Sequence, residues 1–267
     1  MAASFPLAST LADLGRAAVR WAGGWWRIVH LGAMVLVLAL SPASYRGANR
    51  ARIAREVYLD TAPILPWYTL FASLFGLVLI RIVVVTAASY GLSQYALQMV
   101  VRVLVLELIP LTAATFVAVR IGLPDGRELA RMRQRGELEA LRARGIDPLH
   151  QEVLPRVLAG GFAVLMLAAV ASTVTLVLAY LSVHGFALGG LERFTRTVGQ
   201  VFSPSVTLVF MVKTLLLALA VSLVPAASAI HDQPRGRVRS GGEVQALVRL
   251  LMVILLIEAA SLAANYA

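Results

Sequence analysis

Lys213 is the only lysine among 267 residues, and it lies inside a long apolar run. Two carboxylates, Glu107 and Glu258, and one guanidinium, Arg102, interrupt other apolar runs. An ionisable group in hydrocarbon costs a few kcal/mol, so such groups face the bundle interior, pair with one another, or line a wet cavity. A rise of about 1.5 Å per residue puts Lys213 about 12 Å, Glu258 about 10 Å and Glu107 about 15 Å below the outer ends of their runs. Arg102 sits nearer the outer surface. Opposite charges at one depth, brought by three different helices, point to an ion-paired network. Two roles fit it: a lock that holds the bundle together, or a group that touches a charged substrate.

Other chemistry is missing. Cysteine is absent, which removes disulfides, thiolate nucleophiles and thiolate metal ligands. His30, His150, His184 and His231 are scattered without metal-ligand spacing. No Gly-rich loop ends in Gly-Lys-Ser/Thr, and the sole lysine is inside an apolar run, so ATP cannot bind here in the P-loop manner. The expectation is a chain with no catalytic or metal site and no cofactor of its own.

The elements that position these charges must be membrane helices. Hydrophobic residues make up 59% of the chain and charged residues 14%, with a mean hydropathy of +0.80. A soluble exterior could not be built from so little polar surface. A span needs about 20 apolar residues, and five stretches qualify: 61–80, 97–119, 157–183, 205–230 and 244–264. The stretch from Ile28 to Leu40 is apolar but short. Arg16, Arg20 and Arg27 precede it, interleaved with Trp21, Trp25 and Trp26. Cations mixed with indoles suit a helix at headgroup level, with a sixth full span as the alternative. The N-terminal segment is not a cleavable signal, since an acidic residue interrupts it and no compact basic start precedes the apolar run.

The net charge is +10. In a soluble protein that would suggest nucleic acid, but here the arginines crowd into particular connections. Arg46, Arg50, Arg52 and Arg55 precede the first span, eight arginines from Arg120 to Arg156 follow the second, and Arg235, Arg237 and Arg239 follow the fourth. The remaining connections carry little beyond Arg81, Arg193 and Arg196. Basic loops stay in the cytoplasm, so residues 1–60 form a cytoplasmic N-terminus with an interfacial helix, residues 61–267 form the five-span domain, and the C-terminus lies outside.

The connection 120–156 is the most informative polar stretch. From Asp125 to Arg144 it alternates Arg and Glu at helical spacing over an apolar stripe of Leu129, Met132, Leu138 and Leu141. It breaks at Gly145, before Asp147-Pro148. This is either a solvated helix or a docking surface. Its Asp125-Gly-Arg-Glu-Leu-Ala-Arg131 superficially resembles the metal-binding signature of CDP-alcohol phosphotransferases. It carries one residue too many, and the further aspartates are missing.

A fuller resemblance is to the MlaE/YrbE permeases. Glu128-Leu-Ala-Arg-Met-Arg133, Glu137-Leu-Glu-Ala-Leu141 and Gly145-Ile-Asp-Pro148 are similar to that family's cytoplasmic signature. Leu106-Glu107-Leu-Ile-Pro110 resembles its Arg-Glu-Leu-Gly-Pro, Val119-Arg-Ile-Gly122 its Gly-Arg-x-Gly, and Pro155-Arg156 the Pro-Arg that opens its third span. Departures are Leu106 for arginine, Ile109 for glycine, Gly136 for glutamate and Ile82 for glutamine. A lysine in span four and an acid in span five match Lys213 and Glu258. The resemblance implies an all-α, multi-pass permease of the bacterial inner membrane. It would be the transmembrane subunit of an ABC system that moves phospholipid-like molecules to or from a periplasmic MCE-domain protein. It further implies a second permease copy, identical or paralogous, and a separate cytoplasmic ATPase that holds the ATP. That ATPase would dock on Asp125, Glu128, Met132, Arg133, Glu137, Leu141 and Asp147. Arg102 and Lys213 would attract an anionic headgroup, with Glu107 and Glu258 holding them. A permease-like scaffold paired with a paralogue, and a membrane enzyme acting on lipid, are the alternatives.

Overall fold

Apolar runs that cannot satisfy their own backbone polar groups in hydrocarbon must coil into helices, and the computed structural model is helical throughout its described residues, 7–186, 188–231 and 241–266. Among the described residues, nine longer helices follow one another: α1 Leu7–Leu40, α2 Ala48–Thr61, α3 Leu65–Ser89, α4 Ser93–Gln134, α5 Glu137–Ala143, α6 Leu149–His184, α7 Leu191–Val201, α8 Pro204–His231 and α9 Gly241–Tyr266. Side chains before residue 23, and Arg235, Arg237 and Arg239, lie outside the described part.

The five expected spans fall within α3, α4, α6, α8 and α9, but several boundaries differ. Thr61 closes α2, and Pro66 in the first turn of α3 starts the span, a position where a missing N–H does no harm. α4 runs unbroken for 42 residues. At about 1.5 Å per residue this is roughly twice the hydrocarbon thickness, so the polar stretch from Asp125 is a continuation of span two. Two wider, π-helical turns, Val101–Leu108 and Ala118–Gly122, let the helix pass Pro110 and Pro124 without breaking. The helix breaks earlier than expected. Gly136, at φ +73°, separates α4 from α5, because a left-handed residue ends a right-handed helix and glycine takes that conformation without penalty. Gly145, also at positive φ, ends α5. Asp147 then accepts a bond from the Leu149 N–H at 3.0 Å at the start of α6.

α6 is the central helix. Ala159, Ala163, Leu167, Ala168 and Ala171 are buried, and their small side chains let α2, α3, α4 and α8 pack around it. The closest approach involves Gly122 on α4, where an added Cβ would sit 2.6 Å from the Val221 carbonyl oxygen on α8. Pro225 lies four residues beyond Val221 and cannot donate to that carbonyl, so the oxygen is free to meet the bare α4 backbone. Gly126, one turn on, faces Pro225 itself.

α1 is longer than the expected interfacial segment. Its Gly23–Leu40 portion makes it a sixth helix long and apolar enough to cross a membrane by length and composition. Ile28, Leu31 and Val35 are buried against the bundle, while Trp26, Val29 and Val37 are exposed. Gly24 lies against Arg249 of α9, and Gly32 against Leu223 of α8.

The two arginine-rich segments that the structure describes, 46–55 and 120–156, gather at one end of the bundle. Arg52 on α2 pairs with Glu152 at 2.5 Å, and Arg133 donates to the Ile230 carbonyl at 2.7 Å. The α3–α4 turn, α7 and the end of α9 form the opposite end.

Candidate functional site

α4, α8 and α9 meet around Lys213. The ammonium is 2% exposed and donates to Glu107 Oε2 and, at 2.8 Å, to Glu258 Oε1. Its third bond, at 3.3 Å, goes to the Leu106 carbonyl oxygen. Pro110, four residues on, has no N–H to offer that oxygen, so the backbone supplies a fixed acceptor that the lysine fills. All three of the ammonium's donors are used. This satisfies the condition under which a buried charge is tolerated: paired, with every remaining valence bonded. The wide turn Val101–Leu108 carries Glu107, and such turns re-aim side chains that a regular helix would place elsewhere.

Around this core several polar atoms find no protein partner among the described residues. They are Glu258 Oε2, Ser261 Oγ and Asn265 Oδ1 on α9, and Arg102 Nε on α4. Asn265 donates to Glu107 Oε1 at 3.4 Å. The structure therefore brings Glu107, Lys213 and Glu258 together and leaves Arg102 outside their hydrogen bonds. Asn265 and Ser261 escaped the sequence reading, which placed residue 265 beyond the last span. The signal was there: positions 258, 261 and 265 are spaced three and four apart and share one helix face.

The residues expected to dock an ATPase divide in two. Arg133 is tied to α8 and Met132 lies against the Arg156 guanidinium at 3.8 Å, beside the buried stripe residues Leu129 and Leu138. Glu128 pairs with Arg131, and Glu137 with Arg135, in exposed contacts. Glu137 opens the short α5, which also carries Leu141, and Asp147 caps the helix beyond it.

A second polar cluster, also missed from sequence, lies at the basic end. Glu152 bridges Arg52 at 2.5 Å and Arg156 at 3.1 Å. Nearby, Asp125 lines a narrow cleft with Arg156, Gly122, Gly160 and Ser222. A separate, shallow apolar groove runs between α3 and α4, from Phe71 and Phe75 to Leu104 and Leu108.

Among the described residues, the bundle has six helices long and apolar enough to cross a membrane, and Lys213 is its buried cation, held between two acids. The family model for the MlaE permease matches residues 53–263, and the chain belongs to that family. Its members are transporters, and α1 precedes the matched region. A comparison with curated proteins gave no match.

Proposed function

We propose that this chain is the transmembrane subunit of an ABC-type lipid transport system in the bacterial inner membrane, moving phospholipid-like molecules to or from a periplasmic MCE-domain partner. Family membership supports the class. The observation that carries the substrate reading is the polar site around Lys213 in an apolar bundle, where Ser261 Oγ on α9 and Arg102 Nε on α4 have no partner among the described residues. An anionic headgroup would be drawn by Arg102 and, once the ammonium gives up one of its present acceptors, by Lys213, and the exposed apolar faces of α3 and α9 would take the acyl chains. A second permease copy, the same chain or a paralogue, would close the cavity.

In this reading the basic end is cytoplasmic, as the clustered arginines require, and the N-terminus lies on that side. α1 is an interfacial helix, a reading that its mixed arginines and tryptophans support. The separate ATPase seats on α5 and the exposed side of the preceding helix, through Glu128, Glu137, Leu141 and Asp147, while Asp125, Met132 and Arg133 face α6 and α8 and hold that helix in place. Hydrolysis there tilts α4, whose continuous helix carries the movement to Glu107. Replacing Glu137 and Leu141 together should strip the ATPase from the purified complex while the permease stays folded. Undiminished co-purification with full ATPase activity would refute the docking site.

A further inference from the structure

Arg81 is the only charged residue of α3. The helix buries Tyr68, Ala72, Gly76 and Ile80 against the bundle, while Arg81 is exposed on the far side, among exposed Leu74, Val78 and Val85. Residues 74, 78, 81 and 85 are spaced three and four apart and share one helix face. Among the described residues, no hydrogen bond or ion pair reaches Arg81. A Cβ added to Gly76 would lie 3.9 Å from Leu104 on α4, and Lys213 is bonded to the Leu106 carbonyl nearby. Arg81, beyond Gly76 toward the α3–α4 turn, is therefore farther out than Lys213, on the side of α3 turned away from the bundle.

Exposed Trp67 and Tyr90 bracket α3. At about 1.5 Å per residue they stand about 35 Å apart, a spacing that fits the two aromatic belts of a bilayer. Arg81 then lies about 13 Å below the Tyr90 belt. An extended arginine side chain covers only part of that distance. The Cα–Cβ bonds of a helix also lean toward its N-terminus, which for α3 is the basic end, away from Tyr90. A lone guanidinium at this depth costs a few kcal/mol, so it calls for an anion. Among the described residues, the carboxylates of this half of the bundle are taken: Glu107 and Glu258 hold Lys213, and Glu192 pairs with Arg196. A second copy of the chain would bring the same engaged acids. A phospholipid brings a phosphate, and its tails suit the leucines and valines around Arg81. We propose that Arg81 binds the phosphate of a phospholipid whose acyl chains lie along this apolar face of α3, at a site separate from Lys213. The planar fork of the guanidinium takes two phosphate oxygens at once. The same chemistry serves a lipid in transit and a resident lipid, so the site goes beyond the transport reading and stands without it.

The test is native mass spectrometry of the full-length purified chain, wild type against Arg81→Gln. The micelles carry either phosphatidylglycerol or diacylglycerol with the same acyl chains. Glutamine loses no protein partner here, so the variant should fold. Phosphatidylglycerol binding should weaken about tenfold in the variant, while diacylglycerol, which lacks the phosphate, should bind both proteins equally. Release of the Arg81-dependent phosphatidylglycerol on ATP hydrolysis by the assembled complex identifies a lipid in transit, and its retention a resident one. Equal phosphatidylglycerol binding by wild type and variant, or an equal loss of diacylglycerol, would overturn the phosphate site. Lys213 is unchanged in both proteins, so that failure would leave the Lys213 reading standing.

Discussion

The two polar clusters solve opposite problems. At Lys213 one cation faces two carboxylates in a nearly dry site, and each of its donors has a partner. At Glu152 one carboxylate bridges two arginines, one with its side chain 38% exposed and the other 15%. Breaking the first strands charge in hydrocarbon. Breaking the second leaves arginines whose guanidinium groups can turn to water. The comparison teaches that number of ion pairs says little, and access to solvent decides what each is worth.

The largest effect should therefore come from Lys213→Ala, which leaves two buried carboxylates facing each other. A loss of about 3–5 kcal/mol is expected, seen as failed assembly or a steep fall in the detergent melting temperature. Glu258→Ala alone should harm less, because Lys213 keeps Glu107, and the double substitution should recover part of the Lys213→Ala loss, since it strands one buried carboxylate and not two facing each other. Strictly additive damage would break the contrast between the clusters.

A smaller effect is expected from Glu152→Gln, which keeps a hydrogen-bonding side chain between Arg52 and Arg156 but removes its charge. About 1–2 kcal/mol should be lost, with the complex still assembling. The same thermal melt measures it, and a loss as large as that of Lys213→Ala would show that the basic end is as dry as the membrane interior.

The same contrast explains what the sequence could reveal. Lys213, Glu107 and Glu258 stand out because each interrupts an apolar run, and the five spans follow from length and hydropathy. The bridge Arg52–Glu152–Arg156 joins residues 100 positions apart, and nothing in a stretch crowded with Arg and Glu marks which pairs will meet. The continuity of α4 was hidden because the apolar run gives out at Val119, where the polar stretch begins, while wider turns carry the helix past Pro110 and Pro124. The break at Gly136 was obscured by helix-forming neighbours on both sides, and it required a positive φ that composition does not disclose. Asn265 was missed because the span was ended one residue too early.

The most direct test of the central claim is gentle purification of the chain from its own membrane, followed by mass spectrometry that retains partners and bound lipid. The account predicts two permease copies carrying an ABC ATPase, an MCE-domain protein and an anionic phospholipid, with the lipid lost in Lys213→Ala material that still assembles with Glu258→Ala. A chain that emerges without ATPase or lipid, or with lipid that is indifferent to Lys213, would contradict it.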